Sequence, residues 1–568
     1  MRTTLTFAAL IAAATVPGVN SVLAQVTAPV RDAPQHDAAA AIKNTAAISG
    51  RVTNLESGAP LRRALILITS PALSSSKKVS TNSDGRYEVR DLPPGEYSLR
   101  AERSGYLTIA YGQRRPGELA TPLQLGEGQT VKGIDFSLPR VGVISGRVVD
   151  ETGEPIAHVN MWAMQYRFYQ GARRLVPAGG VGGHSSTDDS GQYRLAGLPP
   201  GDFVVMGQIR ETWPLESDRT QVFGYPPTFY PGVLAPADAQ RIKVGVGQEV
   251  RNVDFALVPE RTSRVAGTVV NASGMPVANE AVTLSQEVSG PELTSFFPSS
   301  NAARTGPDGR FAIENVQAGE YLLVVRTSAT ADQPAQEARH PLQVAGNDLD
   351  GLAIVIGGGG ELRGRVLSDD GTPVPGLDRL LVRGQPLMPA VRMATLAPPG
   401  NGRVKADGTF ELKALLGPVV LRMGSLTGEW ALKTVELEGR NLADDPIEVP
   451  HGAVVSGVRV VLTNRPTHVR GRVLNAKQQP ANGTVVIFPE DASRWREDSR
   501  AIRAVRPDQH GEFSIKGLPA GKYFIAAADD VQEGQWYDPD FLAALRAGAE
   551  RLSLGDAEST RIDLTVRK

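Results

Sequence analysis

The stretch SDGRYEVRDLPPGEYSLRA, residues 83–101, contains the two turns and the strand that decide the fold. Its Asp84-Gly85 pair predicts a tight hairpin turn, because such turns need a positive φ that glycine adopts without steric cost. A second turn follows at Pro93-Pro94-Gly95, and after it apolar and polar side chains alternate over residues 97–101. A period of two is typical of a half-buried antiparallel strand.

The same order of signals recurs five times along the chain. Each repeat opens with a short apolar strand centred on a glycine, and these glycines are Gly50, Gly146, Gly267, Gly364 and Gly471. A hairpin turn comes later in each repeat, with an aromatic residue two positions after its glycine. These aromatics are Tyr87, Tyr193, Phe311, Phe410 and Phe513. The unequal intervals between repeats favour separate domains with variable loops over a solenoid of strict short period.

Short strands separated by Gly and Pro turns predict an all-β protein of five tandem seven-stranded antiparallel β-sandwich modules. The predicted boundaries are 48–140 for module 1, 141–260 for module 2, 261–357 for module 3, 358–465 for module 4 and 466–568 for module 5. Module 2 carries an aromatic-rich insertion, and module 4 is the most divergent. Helical spacing of apolar residues over 538–552 predicts one short helix in module 5. We expect the modules to follow one another like beads on a string.

The first residues have the layout of a secretory signal peptide. Arg2 precedes an apolar run over residues 5–16, and small residues before Gln25 predict cleavage after Ala24, which makes 1–24 the signal peptide. A retained membrane anchor is the alternative, but it needs about 20 apolar residues. Residues 25–47, rich in Ala, Pro and polar groups, are predicted to be a disordered leader. We therefore expect a secreted, periplasmic or cell-envelope protein with no membrane span after cleavage.

The order G-R-V, G-x-P, D-G-x-aromatic and L-P-P-G-x-aromatic resembles the carboxypeptidase regulatory-like domain family. Modules 1, 2 and 5 carry this pattern most fully, whereas module 4 lacks the Pro-Pro-Gly turn. The resemblance implies prealbumin-like (transthyretin-like) sandwiches of immunoglobulin-like character, related to a carbohydrate-binding-like superfamily and to repeats of bacterial adhesins. It also implies a non-catalytic role, because in metallocarboxypeptidases this domain accompanies the catalytic domain and does no chemistry itself.

Composition narrows the chemistry further. The chain has no cysteine, which excludes disulfides and thiolate metal sites. Its 60 basic and 61 acidic residues leave a net charge of -1, so nucleic acid is not an expected partner. The seven histidines are scattered and form no zinc-binding motif, and no Gly-x-Ser-x-Gly elbow is present. We expect no enzyme activity, no metal and no cofactor.

One feature of module 2 is not part of the repeated motif, namely a concentration of aromatic residues. The candidate ligand-binding residues are Trp162, Tyr166, Phe168, Tyr169, Trp213, Tyr225 and Tyr230, with Phe223 and Phe229 beside them. Exposed rings would stack on the apolar faces of sugars, whereas buried rings would fill a core or pack a loop onto it. The sequence leaves both interpretations open.

These observations predict an exported, non-catalytic, multi-module binding protein, with carbohydrate as the first ligand hypothesis. The alternative is a structural spacer or adhesion stalk at the cell surface, without a small-molecule ligand. Expected partners are a polysaccharide or a cell-envelope protein. An exposed aromatic groove confined to module 2 would favour binding, and evenly polar module faces would favour the stalk.

Overall fold

A computed structural model describes residues 46–169, 172–178, 183–289, 294–327, 336–386, 400–415, 417–450, 452–497 and 499–566. Residues Asn44–Lys568 form one compact unit. The predicted signal peptide and the predicted leader up to residue 45 lie outside the described residues. The last two residues assigned to the leader, Ala46 and Ala47, instead begin the first strand, because they pair with its neighbouring strands. Within the described ranges, no helix is long and apolar enough to cross a bilayer.

Strands dominate every module, and we name them by the predicted module ranges. Module 1 contains β1 Ala46–Asn54, β2 Leu65–Thr69, β3 Lys77–Ser80, β4 Arg86–Leu92, β5 Gly95–Glu102, β6 Ile109–Ala110, β7 Leu123–Leu125, β8 Thr130–Val131 and β9 Phe136–Leu138. Module 2 contains β10 Gly142–Val149, β11 Asn160–Tyr169, β12 Ala172–Pro177, β13 His184–Ser186, β14 Gln192–Leu198, β15 Gly201–Gln208, β16 Thr212–Pro214, β17 Val222–Gly224, β18 Thr228–Phe229, β19 Ile242–Val244, β20 Glu249–Val250 and β21 Phe255–Ala256, and β22 Glu260–Arg261 crosses its end.

The remaining modules repeat this plan with fewer strands. Module 3 contains β23 Ser263–Asn271, β24 Ala281–Ser289, β25 Thr294–Arg304, β26 Arg310–Val316, β27 Gly319–Arg326, β28 Glu337–Val344 and β29 Leu349–Ile356. Module 4 contains β30 Gly360–Ser368, β31 Leu381–Pro386, β32 Asn401–Arg403, β33 Thr409–Leu415, β34 Val419–Gly424, β35 Ala431–Leu437, β36 Arg440–Asn441 and β37 Val454–Thr463. Module 5 contains β38 His468–Leu474, β39 Thr484–Pro489, β40 Arg503–Val505, β41 Glu512–Lys516, β42 Gly521–Ala528, helix α1 Pro539–Arg546, β43 Glu550–Leu554, β44 Ser559–Arg561 and β45 Leu564–Thr565. Short 3-10 helices cover Pro236–Asp238, Leu377–Arg379, Ala492–Arg494 and Gln535–Tyr537.

The all-β sandwich prediction is confirmed, and the pairing adds a detail. Each glycine-centred strand pairs antiparallel with the strand that follows the hairpin turn, as β1 does with β4. The same strand also pairs in parallel with a strand near the end of its module, as β1 does with β8 and β9 and β23 with β29. The sheets are therefore mixed rather than purely antiparallel, because the closing strand lies beside the opening strand and runs in the same direction.

The opening glycine is required by a close backbone approach. A Cβ on Gly50 would lie 1.9 Å from the carbonyl oxygen of Ile134, in the segment that leads to β9. The hydroxyl of Tyr87 donates to that same oxygen at 2.6 Å. Module 2 repeats the contact, with the Tyr193 hydroxyl donating to Val253 at 2.6 Å. The glycine and the aromatic after the hairpin turn therefore form one structural unit, although they are far apart in sequence.

The second turn is stabilised by its tyrosine. The Tyr97 hydroxyl donates to the carbonyl of Pro93 at 2.6 Å, and the Tyr523 hydroxyl donates to that of Pro519 at the same distance. The Tyr321 hydroxyl makes the equivalent bond to Gln317 at 3.0 Å. Burial raises the pKa of Tyr321 and of Tyr523 to about 12, so these phenols stay protonated donors at neutral pH.

The structure differs from the beads-on-a-string expectation, because module 5 packs against module 1. The guanidinium of Arg506 lies 3.7 Å from the carboxylate of Glu118, and both side chains are almost completely buried. Arg506 also donates to the carbonyl of Gly112 at 2.8 Å. Gln509 donates to the Gln124 carbonyl at 2.8 Å and accepts from the Gln124 amide at 3.0 Å. Such contacts between distant segments have no periodic signature in a sequence, so the pattern could not predict them.

Module 5 also contacts module 2 next to α1. Asp538 caps this helix by accepting from the Asp540 amide, and its carboxylate receives two hydrogen bonds from Arg173 of β12. The helix ends at Arg546, short of the predicted residue 552. Residues from Glu550 onward pair instead with β42, so tertiary strand pairing overrides the helical spacing there.

Candidate ligand-binding surfaces

The predicted aromatics of module 2 lie partly on strand β11 and partly in the insertion that follows β15. Along β11 the side chains alternate, so Met161 and Ala163 enter the main core of the module while Trp162 and Met164 enter a second cluster. Phe229 of the insertion belongs to this second cluster. The outward face of β11 is thus apolar because the insertion covers it, and Trp162 is only 5% exposed.

Tyr166 is the exposed member of the predicted set among the described side chains, with 41% of its surface accessible. Its hydroxyl donates to the carbonyl of Pro236 at 3.1 Å, and the guanidinium of Arg241 lies 5.2 Å from its ring centre. Phe168 is half-buried. Tyr169 pairs through its backbone with Ala172 at the end of the β11–β12 hairpin, and its side chain lies outside the described part of the chain.

The other predicted aromatics belong to the main core. The rings of Trp213 and Tyr225 lie 4.7 Å apart, and the Tyr225 hydroxyl donates to Glu151 at 2.7 Å. Burial, together with this carboxylate, raises the pKa of Tyr225 well above its ordinary value. Tyr230 packs edge-on against Phe255 with ring centres 6.2 Å apart. The structure therefore places Trp162 in one cluster and Trp213, Tyr225 and Tyr230 in another, while Tyr166 and Phe168 belong to neither, so the described members do not form one platform.

A groove between modules 4 and 5 is a second candidate, which the sequence analysis did not identify. Its cavity has a volume of about 460 Å³. Its lining includes Trp430 and Tyr537 together with four cationic side chains, which are Arg422, Arg500, Arg503 and Lys516. Two carboxylates, Glu429 and Glu497, also line it. A signal for this site is present in the sequence, since residues 494–506 contain five arginines, but their shared location depends on how the two modules pack.

Ion pairs hold the two modules together around this groove. Arg500 donates to Asp444 at 2.8 Å and to the carbonyl of Leu432 at 2.7 Å. Burial opposes ionisation of Asp444, but the hydrogen bond and charge of Arg500 outweigh it and lower the pKa of this carboxyl. At the rim, Glu429 lies 2.5 Å from Lys516 and 2.7 Å from the Nε2 atom of His468. The groove is thus a built interface with a polar lining.

A third concavity lies between modules 1 and 5, with a volume of about 680 Å³. Its lining mixes acidic and basic residues, including Glu96, Asp508, Glu512, Arg470 and Arg561.

Among the described residues, no cluster of three or more His, Asp or Glu side chains is arranged to hold a metal ion. The acidic turn at Asp188 uses its carboxylate locally, accepting from the amides of Ser190 and Gln192.

Comparison with known proteins finds two segments that match a known domain family. The carboxypeptidase regulatory-like domain family matches residues 47–139 and residues 264–348. The predicted resemblance is thus confirmed for two segments, in modules 1 and 3, which together make up less than half of the chain. Both segments lie within a longer series of β-sandwich modules.

Similarity to individual proteins is more limited. The chain is 30% identical over 166 residues to the TonB-dependent transporter Oar of Myxococcus xanthus, which covers 28% of this chain and 14% of that protein. Among solved structures, the minor pilin GBS52 of Streptococcus agalactiae is 15% identical, with a TM-score of 0.20. The alignment covers 38% of this chain and 97% of the pilin. A putative carbohydrate binding protein of Pseudomonas aeruginosa, PA1324, is 16% identical, with a TM-score of 0.13, and covers 16% of this chain and 88% of its own.

Proposed function

We propose that this chain is an exported, non-catalytic binding protein of the cell envelope whose modules form one body and whose ligand is a polysaccharide. The observation that carries the proposal is the packing of module 5 against module 1 through the buried Arg506–Glu118 pair. Export is supported by the signal-peptide pattern of residues 1–24. The carboxypeptidase regulatory-like domains support a non-catalytic role.

The same junction disfavours the stalk alternative. In a stalk each module contacts only its neighbours in sequence, so every module adds its length. Here Arg114 and Arg115 of module 1 pair with Asp529 and Asp530 of module 5, and Arg173 of module 2 pairs with Asp538. The modules therefore do not add length in a simple series.

A binding role is supported by what this packing creates. Modules that fold back on one another leave concave surfaces at their junctions, and ligand sites occur preferentially in such clefts between domains. The junctions of module 5 with module 4 and with module 1 each contain such a cleft, and both clefts are lined mainly by side chains that donate or accept hydrogen bonds. A hydroxyl-rich ligand fits this lining better than an apolar one.

The first test is small-angle X-ray scattering of the mature chain. A compact chain of this length has a radius of gyration of about 24 Å, and we expect a value much closer to that than to the value of a five-module rod. Arg506→Glu should expand the molecule, and the charge swap Arg506→Glu with Glu118→Arg should reverse part of the expansion. A rod-like wild type that neither variant changes would support the stalk.

Affinity electrophoresis tests the ligand class directly. The mature chain is run through gels that contain different neutral and acidic polysaccharides, beside a protein of similar size and charge. Retardation by at least one polysaccharide is expected. If none slows the chain, the carbohydrate proposal is wrong and protein partners of the envelope replace it.

A further inference from the structure

The groove between modules 4 and 5 contains a cation, Arg503, that has no direct ion-pair partner among the described residues. Arg503 is half-buried, and one of its terminal nitrogens, Nη1, donates to the carbonyls of Ser499 and Ile502. Its Nε and Nη2 groups have no hydrogen-bond acceptor among the described residues. No carboxylate of the described residues lies within ion-pair distance of its guanidinium. Burial lowers the pKa of Arg503, because desolvation destabilises the charged guanidinium, and the nearby charge of Asp444 opposes this effect without cancelling it.

Two other cations of the groove differ from Arg503 in this respect. Arg500 is paired with Asp444, and Lys516 is paired with Glu429. Arg494 shares Asp444 with Arg500. The lining therefore carries an excess of positive charge, and its uncompensated member faces a cavity rather than bulk solvent. An anionic ligand would supply the missing counter-charge.

Two further side chains indicate what kind of anion fits. The Oε2 atom of Glu497 is buried and has no hydrogen-bond donor in the described structure, so it can accept from a ligand hydroxyl. The half-buried ring of Trp430 lies in the same lining and offers a face for an apolar ring surface. A ligand with a carboxylate, hydroxyls and a ring face satisfies all three groups. The cavity of about 460 Å³ is within the range of small-molecule sites.

We propose that the groove between modules 4 and 5 binds an acidic saccharide, with Arg503 donating to its carboxylate and Glu497 accepting from a hydroxyl. This inference rests on the proposed carbohydrate-binding function, for which it names the ligand class and the site. Arg503 acts here as a specificity residue, since it distinguishes a sugar acid from the neutral sugar.

The test uses isothermal titration calorimetry of the mature chain with two matched probes, oligogalacturonic acid and its methyl ester. The two probes share the same ring and hydroxyls and differ in the charge of the carboxyl group. We expect Arg503→Gln to weaken binding of the acid by about tenfold or more, as expected for loss of a charge-assisted hydrogen bond. Arg503→Lys, which keeps the charge but loses the planar fork, should retain part of the affinity.

The control is Arg440→Gln, which removes an exposed arginine of module 4 outside the groove and should leave affinity unchanged. Thermal unfolding of each variant checks that it is folded. If the wild type binds the acid and Arg503→Gln binds it equally well, the groove assignment is wrong while the proposed function survives. If the ester binds as tightly as the acid, the acidic class is wrong. If neither probe nor any polysaccharide binds, both this inference and the proposed function fail.

Discussion

The aromatic face of module 2 and the groove between modules 4 and 5 differ in composition and in accessibility. Module 2 has the higher concentration of rings, but most of the described ones are buried or half-buried, and Trp162 is only 5% exposed. The groove has Trp430 and Tyr537 in its lining and remains an open cavity of about 460 Å³. A high density of aromatic residues therefore indicates burial as readily as binding, and the orientation of the chain around the rings decides which applies.

The two regions also differ in whether their arginine side chains have partners. Arg241 lies over the ring of Tyr166 at the module 2 surface, so this cation already has a partner. Arg503 lies in the groove without a carboxylate partner among the described residues. Unsatisfied polar groups at a cavity distinguish the second region, and they separate a candidate binding surface from a packed one.

The largest expected effect is that of Trp162→Ala on stability. Trp162 packs with Met164, Val204, Met206 and Phe229, so its removal leaves a cavity in the second cluster of module 2. We expect a loss of about 3–5 kcal/mol in the free energy of unfolding of this module. Chemical denaturation followed by far-UV circular dichroism, which reports the backbone rather than the substituted tryptophan, measures this loss of stability. A loss below about 1 kcal/mol would contradict the burial that this comparison assumes.

Arg500→Ala should have the next largest effect, at the groove. The substitution leaves the half-buried Asp444 carboxylate with a weaker set of partners and removes the bond to Leu432. We expect a loss of about 2 kcal/mol at this junction. Hydrogen exchange of modules 4 and 5 measures it locally, and modules 1 and 3 act as internal controls. Equal changes in all modules would indicate global unfolding rather than a weakened junction.

Tyr166→Ala sharpens the comparison with a smaller effect. Because Tyr166 is 41% exposed, we expect a loss of stability below about 1 kcal/mol. Its effect on gel retardation by polysaccharides tests the module 2 surface separately from the groove. Unchanged retardation supports the groove as the site, whereas retardation abolished in this folded variant would move the site to module 2.

The smallest expected effect concerns pH at the rim of the groove. The hydrogen bond from Lys516, with its charge and the neighbouring His468, lowers the pKa of Glu429. A lowered folded-state pKa means that the stabilisation is present above the unfolded-state pKa and is lost as the pH falls through the folded-state value. The melting temperatures of wild type and Glu429→Gln should therefore differ slightly at neutral pH and converge in acid. A difference that grows with acidification would contradict this sign.

Much of the fold was predictable because its determinants are local or strictly repeated. The turns at Asp84-Gly85 and Pro93-Pro94-Gly95 depend on backbone preferences of a few adjacent residues. The aromatic after each hairpin turn recurs in all five repeats, and the structure explains it by the contact of Tyr87 with the segment that faces Gly50. The predicted seven strands per module are found in module 3, whereas the other modules add short strands and module 2 adds those of its insertion.

The sites were less predictable for a physical reason that particular residues illustrate. Alternation along β11 places Trp162 and Tyr166 on the same face, but it does not reveal that the insertion covers Trp162 and leaves Tyr166 partly open. The arginines of residues 494–506 likewise resemble a solvated surface in the sequence. Their separate roles, Arg500 in an ion pair, Arg506 at module 1 and Arg503 in the groove, exist only where modules meet.

The sequence by itself therefore determined the β-sandwich class and the repeated motif, because turns and alternation are encoded by neighbouring residues. Only the tertiary structure decided which faces are covered and where modules touch. Those properties depend on contacts between segments such as Glu118 and Arg506, whose separation in the chain leaves no local pattern. The fold was therefore predictable from local sequence patterns, whereas the binding surface was not, because it depends on contacts between distant segments.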